Sequence, residues 1–163
     1  MSICDLDQIE KICSDNAGGV KALKIILIKD LASIPKQYCT ALIEDDIQLQ
    51  PGKTAYSIPF IKNSCSFLEK QETNSKAGDY FTSQLVFEIA KTRLEVLSNI
   101  MKFKNCRVIA VWTDNNETTR AGGLFRVVGD NGTKNKKAER NGFVFQLSTR
   151  SEKPFPIFTG NII

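Results

Sequence analysis

The stretch Tyr80-Phe81-Thr82-Ser83-Gln84-Leu85-Val86-Phe87-Glu88-Ile89-Ala90 places Phe81, Leu85, Phe87 and Ile89 at odd positions and Thr82, Gln84 and Glu88 at even ones. Successive side chains of a strand point to opposite faces, so this alternation predicts a long strand with one face on a core and one polar face. Upstream, Ser64–Glu72 is a second polar-apolar segment, separated from the first by Thr73-Asn74-Ser75-Lys76-Ala77-Gly78-Asp79. Small, polar and glycine residues favour a flexible loop, and the whole reads as an extended β-hairpin. Downstream the period changes. Leu94, Leu97 and Met101 recur at spacings of three and four, which predicts one amphipathic helix over Lys91–Phe103.

Further strands lie on either side. Val20–Lys29, with its Ile25-Ile26-Leu27-Ile28 run, reads as a strand buried on both faces. Tyr56, Ile58 and Phe60 alternate as a half-buried strand in which Pro59 marks an edge or bulge. Arg107–Thr113, Gly123–Val128 and Gly142–Thr149 complete the set, with Gly129-Asp130-Asn131-Gly132 as a hairpin turn, because Asn and Gly accept positive φ. Residues 1–19 form an N-terminal arm, and the apolar tail 150–163 docks on its own subunit or on a neighbour. No repeat or linker divides the chain. The expectation is one domain over 1–163, mainly β, an antiparallel β-sandwich or barrel with one flanking α-helix and a long β-hairpin.

Composition narrows the function. The 163 residues include no histidine, which removes Ser-His-Asp and Cys-His hydrolases, His-ligated zinc enzymes and facial-triad iron oxygenases. The five cysteines form no CxxC pair, so neither a zinc ribbon nor a redox motif is expected. Residues 1–13 are acidic where a secretory leader carries positive charge, and a reducing cytoplasm is the expected site of synthesis. Gly18-Gly19 and Gly122-Gly123 lack the spacing of a phosphate-binding loop and read as turns or bulges. Glu44 with Asp45, and Glu69 with Glu72, are neighbours in sequence without any sign of flanking a scissile bond. Tyr80, Phe81, Phe143, Phe145 and Trp112 read as core rather than as a stacking platform. No catalytic, cofactor-binding or metal-ligating residue is assigned, and the chain is not expected to be an enzyme. The net charge is +4, with basic residues gathered at Lys134, Lys136, Lys137, Arg140, Arg150 and Lys153, a solvated cluster able to meet an acidic neighbour.

The hairpin of Ser64–Glu72 and Tyr80–Ala90, followed at once by the helix Lys91–Phe103 and the strand Arg107–Thr113, resembles the element order of major tail tube proteins of tailed bacteriophages. Their relatives include tube proteins of contractile injection systems and type VI secretion. Ala138–Phe145 and the downstream Pro154-Phe155-Pro156 also resemble C-terminal stretches of phage structural proteins. The resemblance implies a structural virion protein that self-assembles into stacked, hexameric rings, contacts other tail proteins, and conducts DNA without binding it specifically. It implies assembly in the host cytoplasm and residence in the virion tail, with no membrane partner. Carried onto this chain, Thr82, Gln84 and Glu88, with Glu69 and Glu72, would line the lumen with a polar, partly acidic surface. Thr73, Asn74, Ser75, Lys76, Ala77, Gly78 and Asp79, together with the N-terminal arm, would contact the next ring. A tail terminator or head-tail connector ring is the alternative within the same fold. A single-stranded nucleic-acid-binding barrel using the Lys134–Arg140 loop is the alternative outside it.

Overall fold

In the strand β1 (Val20–Leu27), Leu23 and Ile25 enter one apolar cluster while Ile26 enters another on the opposite face, so this strand is covered on both sides. The computed structural model describes residues 17–35, 41–74, 76, 78–91, 93–103, 106–132 and 142–163. The expectations for residues 1–16, Ser75, Ala77 and the basic loop 134–140 lie outside these.

After a single 3-10 turn at Ile28–Asp30 come four short strands: β2 (Leu31–Ser33), β3 (Leu42–Ile43), β4 (Gln48–Leu49) and β5 (Tyr56–Ser57). The long elements follow: β6 (Ser66–Asn74), β7 (Gly78–Ala90), α1 (Leu94–Phe103), β8 (Arg107–Asp114), β9 (Thr119–Gly132) and β10 (Gly142–Ser151), and then the two-residue β11 (Ile157–Phe158). The main sheet runs β5-β1-β8-β9-β10-β7-β6, antiparallel at every step, and β2 pairs with β4 separately. The fold is thus mainly β, with one large antiparallel sheet, one short helix and a long hairpin.

The sheet bends where β9 carries the pair Gly122-Gly123. Both have positive φ, 135° and 76°, and the β8 register shifts there between Val108 and Ala110. A β-bulge sharpens twist and bend, and here it divides the sheet into β5-β1-β8 with the first half of β9, and the second half of β9 with β10-β7-β6. A Cβ on Gly123 would stand 2.6 Å from the Phe125 ring, so both the bend and the packing require glycine.

Between the two halves lies the larger core, built from Leu23, Ile25, Leu85, Phe87, Val108, Trp112, Phe125, Phe145, Leu147 and Phe155 among others. Phe87 stacks on Phe145 with centroids 5.2 Å apart, and Trp112 meets Phe67 at 4.6 Å across the core. The chain from Tyr56 to Cys65 closes the side between the halves. Ile58 donates to the Leu23 carbonyl at 2.9 Å, Ile61 donates to Glu88 at 2.8 Å, and Val20 donates to Cys65 at 3.0 Å.

The smaller core covers the other face of β1, β8 and the start of β9, through Ile26, Ile47, Ile109, Val111, Ala121 and Phe158. Its cover is the segment 31–55 and the C-terminal tail. β11 pairs in parallel with β3, Ile47 bridges Ile162, and Leu49 donates to the Ile163 carbonyl at 2.6 Å. Of the two destinations open to the tail, the structure shows its own subunit.

Four elements differ from the sequence expectation. The helix begins at Leu94, three residues late, because Lys91 takes a positive φ of 63° and breaks the run. It buries Val96 and leaves Leu94 84% and Leu97 39% exposed, so the apolar face is rotated from the one expected. Gly129–Gly132 is not a turn: Gly129, Asp130, Asn131 and Gly132 oppose Phe145, Val144, Phe143 and Gly142 as strand residues. The expected loop Thr73–Asp79 is largely strand as well, with Thr73 opposite Asp79 and Asn74 opposite Gly78. The expected Tyr56–Phe60 strand shrinks to Tyr56–Ser57, and the chain turns away at Ile58–Pro59.

Candidate functional site

The half-sheet β9-β10-β7-β6 presents an open outer face, which the register lays out row by row. Asp130, Val144 and Glu88 form one row. Val128, Gln146, Val86 and Ser66 form the next, followed by Arg126, Ser148, Gln84 and Leu68. Arg150, Thr82 and Lys70 make a fourth row, and Tyr80 with Glu72 a fifth. The inward neighbours Phe81, Ser83, Leu85, Phe87 and Ile89 of β7 alternate with these, as the period-two reading of 80–90 requires.

Of the five side chains grouped by resemblance as a polar lining, four share this face: Glu72, Thr82, Gln84 and Glu88. Glu69 does not. It lies between Leu68 and Lys70 and so turns inward, opposite Ser83, with its side chain only 13% exposed. There its carboxylate accepts from Ser83 Oγ at 3.2 Å and from the Phe155 amide at 2.9 Å, and it stands 3.6 Å from the Arg120 guanidinium. Arg120 in turn lies 5.7 Å from the centroid of the Phe67 ring. Glu69 and Glu72 are odd and even members of one strand, so they cannot converge on one substrate atom. The sequence held no sign of this inward carboxylate, because its partners Arg120 and Phe155 are far away in the chain.

The open face is also less acidic than expected. Lys70, Arg126 and Arg150 are exposed upon it, and Arg107 opposes Arg126 at its margin. Leu68 is 62%, Val128 46% and Val144 42% exposed on the same face.

At the far end of the hairpin, Tyr80 donates its hydroxyl to Glu72 Oε2 at 2.7 Å, and Arg150 lies 5.5 Å from the centroid of the Tyr80 ring. The phenol's hydrogen bond holds the Glu72 carboxyl below the usual carboxylate range, and the same bond to a carboxylate raises the Tyr80 hydroxyl above its own. Lys76 donates its amide to Asn74 Oδ1 at 2.9 Å, an Asx turn that tightens the tip. Beyond the last β10 pairing, Ser151 with Phe81, the tip is held only by β6 with β7.

A second concavity lies between α1 and the open end of the larger core. It encloses about 290 Å³, lined by Ile25, Leu27, Ile58, Phe87, Ile89 and Val96, with Arg93, Glu95 and Lys102 on its helix side. Arg93 is paired with Glu95 at 2.8 Å. Burial pushes the Cys65 thiol up to about 12, which keeps it protonated and unreactive at neutral pH. Among the described residues no group of three or more Cys, Asp or Glu side chains is arranged to hold a metal ion. No helix among them is long and apolar enough to cross a membrane.

No protein-family model, curated protein or solved structure matches this chain.

Proposed function

We propose that this protein is a structural subunit that joins copies of itself edge to edge into stacked rings of the phage tail tube type, a conduit for DNA. One observation carries the reading. The half-sheet β9-β10-β7-β6 lacks a further strand on both margins among the described residues. β6 pairs only with β7 along Leu68–Asn74, and β9 pairs only with β10 from Val127 to Gly132, because β8 stops at the Arg107–Arg126 pair and α1 passes alongside. Unpaired strand edges are templates for further strands, and head-to-tail pairing that closes by rotation gives a ring with no edge left.

The geometry of the margins suits closure. The open stretch of β6 lies level with Gly78–Gln84 of β7, and that of β9 level with Leu85–Ala90. At about 3.4 Å per residue the two are staggered by about 20 Å along the strands, while four strands span about 19 Å across. Copies joined with that stagger would have strands tilted about 45° from the ring axis, at the upper end of the usual range for closed barrels. The outer face would then line the lumen, and the hairpin tip and segment 73–79 would project toward the next ring.

Electron microscopy and light scattering of the purified protein test the reading. Rings or tubes are expected, and their dissociation should produce an exposed β6. A protein that remains monomeric at high concentration overturns it.

A further inference from the structure

Four cations follow one stepped line across the outer face, Arg107 and Arg126 level with its third row and Arg150 and Lys70 in its fourth. Arg107 on β8 faces Arg126 on β9, Arg150 on β10 lies two residues along from Ser148, the partner of Arg126, and Lys70 on β6 lies opposite Thr82, the partner of Arg150. All four are exposed. The ion pairs formed among the described residues are Lys21–Glu117, Lys53–Asp30, Arg93–Glu95 and Arg120–Glu69, so none of the four cations is neutralised by a carboxylate within 4 Å. Arg107 reaches the Leu124 carbonyl at 3.4 Å, and Arg150 lies over Tyr80. Of the carboxylates of this face, Glu72 stands in the adjoining row, where Lys70 and Arg150 act on its charge, and Asp130 and Glu88 stand together in a row beyond a neutral one. The floor of the row is neutral: Ser148, Gln84 and Thr82, the last with its hydroxyl buried.

Fold stability does not call for this arrangement. Like charges directly opposite on neighbouring strands are destabilising, and Arg107 with Arg126 is such a pair. An anionic ligand removes that cost. From Arg126 to Lys70 the row spans three strand spacings, about 14 Å, so the ligand carries several negative charges in line. A single row on a twisted sheet matches one flexible phosphodiester backbone. A duplex presents two backbones separated by a groove about 6 or 12 Å wide, for which the face has no second row. Among the described residues the single aromatic side chain of this face is Tyr80, which is engaged by Glu72 and Arg150 and so offers bases no free stacking surface.

We infer that the outer face binds single-stranded nucleic acid through its phosphates, without sequence preference. The inference needs one subunit only and does not rest on ring formation. Fluorescence anisotropy with a labelled mixed-sequence single strand tests it, using the whole chain, the triple variant K70Q/R126Q/R150Q, and duplex DNA and polyglutamate as competitors. Four phosphate contacts give a slope of log affinity against log salt near −2.8, so affinity should fall about 50-fold from 50 to 200 mM salt. The triple variant should keep the far-ultraviolet circular dichroism of the parent and lose about two units of slope. Poly-dT and mixed sequence should bind alike. Absence of binding at low salt, an unchanged slope in the folded variant, tighter binding of duplex, or equal competition by polyglutamate overturns it. Micrographs of the same variant separate the two readings: rings that persist without binding leave assembly standing, and binding without rings leaves this inference standing.

Discussion

Glu69 shows how much one side chain decides. Its carboxylate holds Ser83, fully buried, and the amide of Phe155, itself 4% exposed, while Arg120 offsets its charge. It therefore ties the hairpin to the start of the C-terminal tail across the larger core. Replacing it with alanine leaves a buried hydroxyl and a buried amide without acceptors, and each such group costs about 1–3 kcal/mol. The E69A variant should lose about 3 kcal/mol in urea unfolding. E69Q retains an acceptor oxygen and should lose less. An E69A midpoint equal to the parent's would show that water replaces the carboxylate and that the network is not structural. The same carboxylate marks a limit of reading from sequence. Alternation along 66–74 gives Glu69 a face only once Phe67 is known to point inward, and Phe67 is one of only two aromatic or aliphatic residues in that strand.

At the scale of elements, the hairpin tip allows the proposed assembly to be tested apart from the fold. Glu72 pairs with Tyr80, so the chain can be rejoined there. Replacing residues 73–79 by Asn-Gly gives a two-residue type I′ connection that matches strand twist and removes only the tip that projects beyond β10. The shortened protein should melt within a few degrees of the parent, because no residue of either core is removed, and should form single rings without stacking. Long tubes from this variant would move the inter-ring contact elsewhere. Strands with strong alternation are legible: 80–90, 107–113 and 142–149 each agree with the observed strands within two residues, and the double burial of β1 follows from Ile25-Ile26-Leu27, whereas Ile28, the fourth of that aliphatic run, falls in the 3-10 turn and is exposed. β9 is legible only in part. Gly122-Gly123 breaks its period at the bulge, and the turn-forming residues 129–132 are held straight by pairing with β10. β2, β3, β4 and β11 carry two or three residues each, and their pairings are long-range, so no local pattern announces them. The open face is half legible. The hydroxyl and amide positions of β7 follow from alternation, but the basic row is assembled from four strands and exists only once the register is known.

Across the whole molecule, two cores share the strands β1, β8 and β9, and they differ in what encloses them. The larger is held between long strands, whereas the smaller depends on short segments laid over an otherwise finished sheet. The tail 157–163 closes that layer through Phe158, 5% exposed, and through backbone bonds from Ile157 to Ala41, from Thr159 to Ile43 and from Ile163 to Ile47. Removing 157–163 should uncover Ile26, Ile109 and Val111. Losing the burial of a Phe and the partial burial of Ile162 costs about 4 kcal/mol at 1.5–3 kcal/mol per fully buried large side chain. The larger core loses none of its members, so the near-ultraviolet signal of Trp112, enclosed by Phe67, Phe125 and Phe155, should survive while the dye anilinonaphthalene sulfonate gains fluorescence. Loss of both signals together would mean that the two cores fold as one cooperative unit. Retention of the Trp112 signal would show that the larger core stands without the smaller one, with the tail acting only to seal the opposite side.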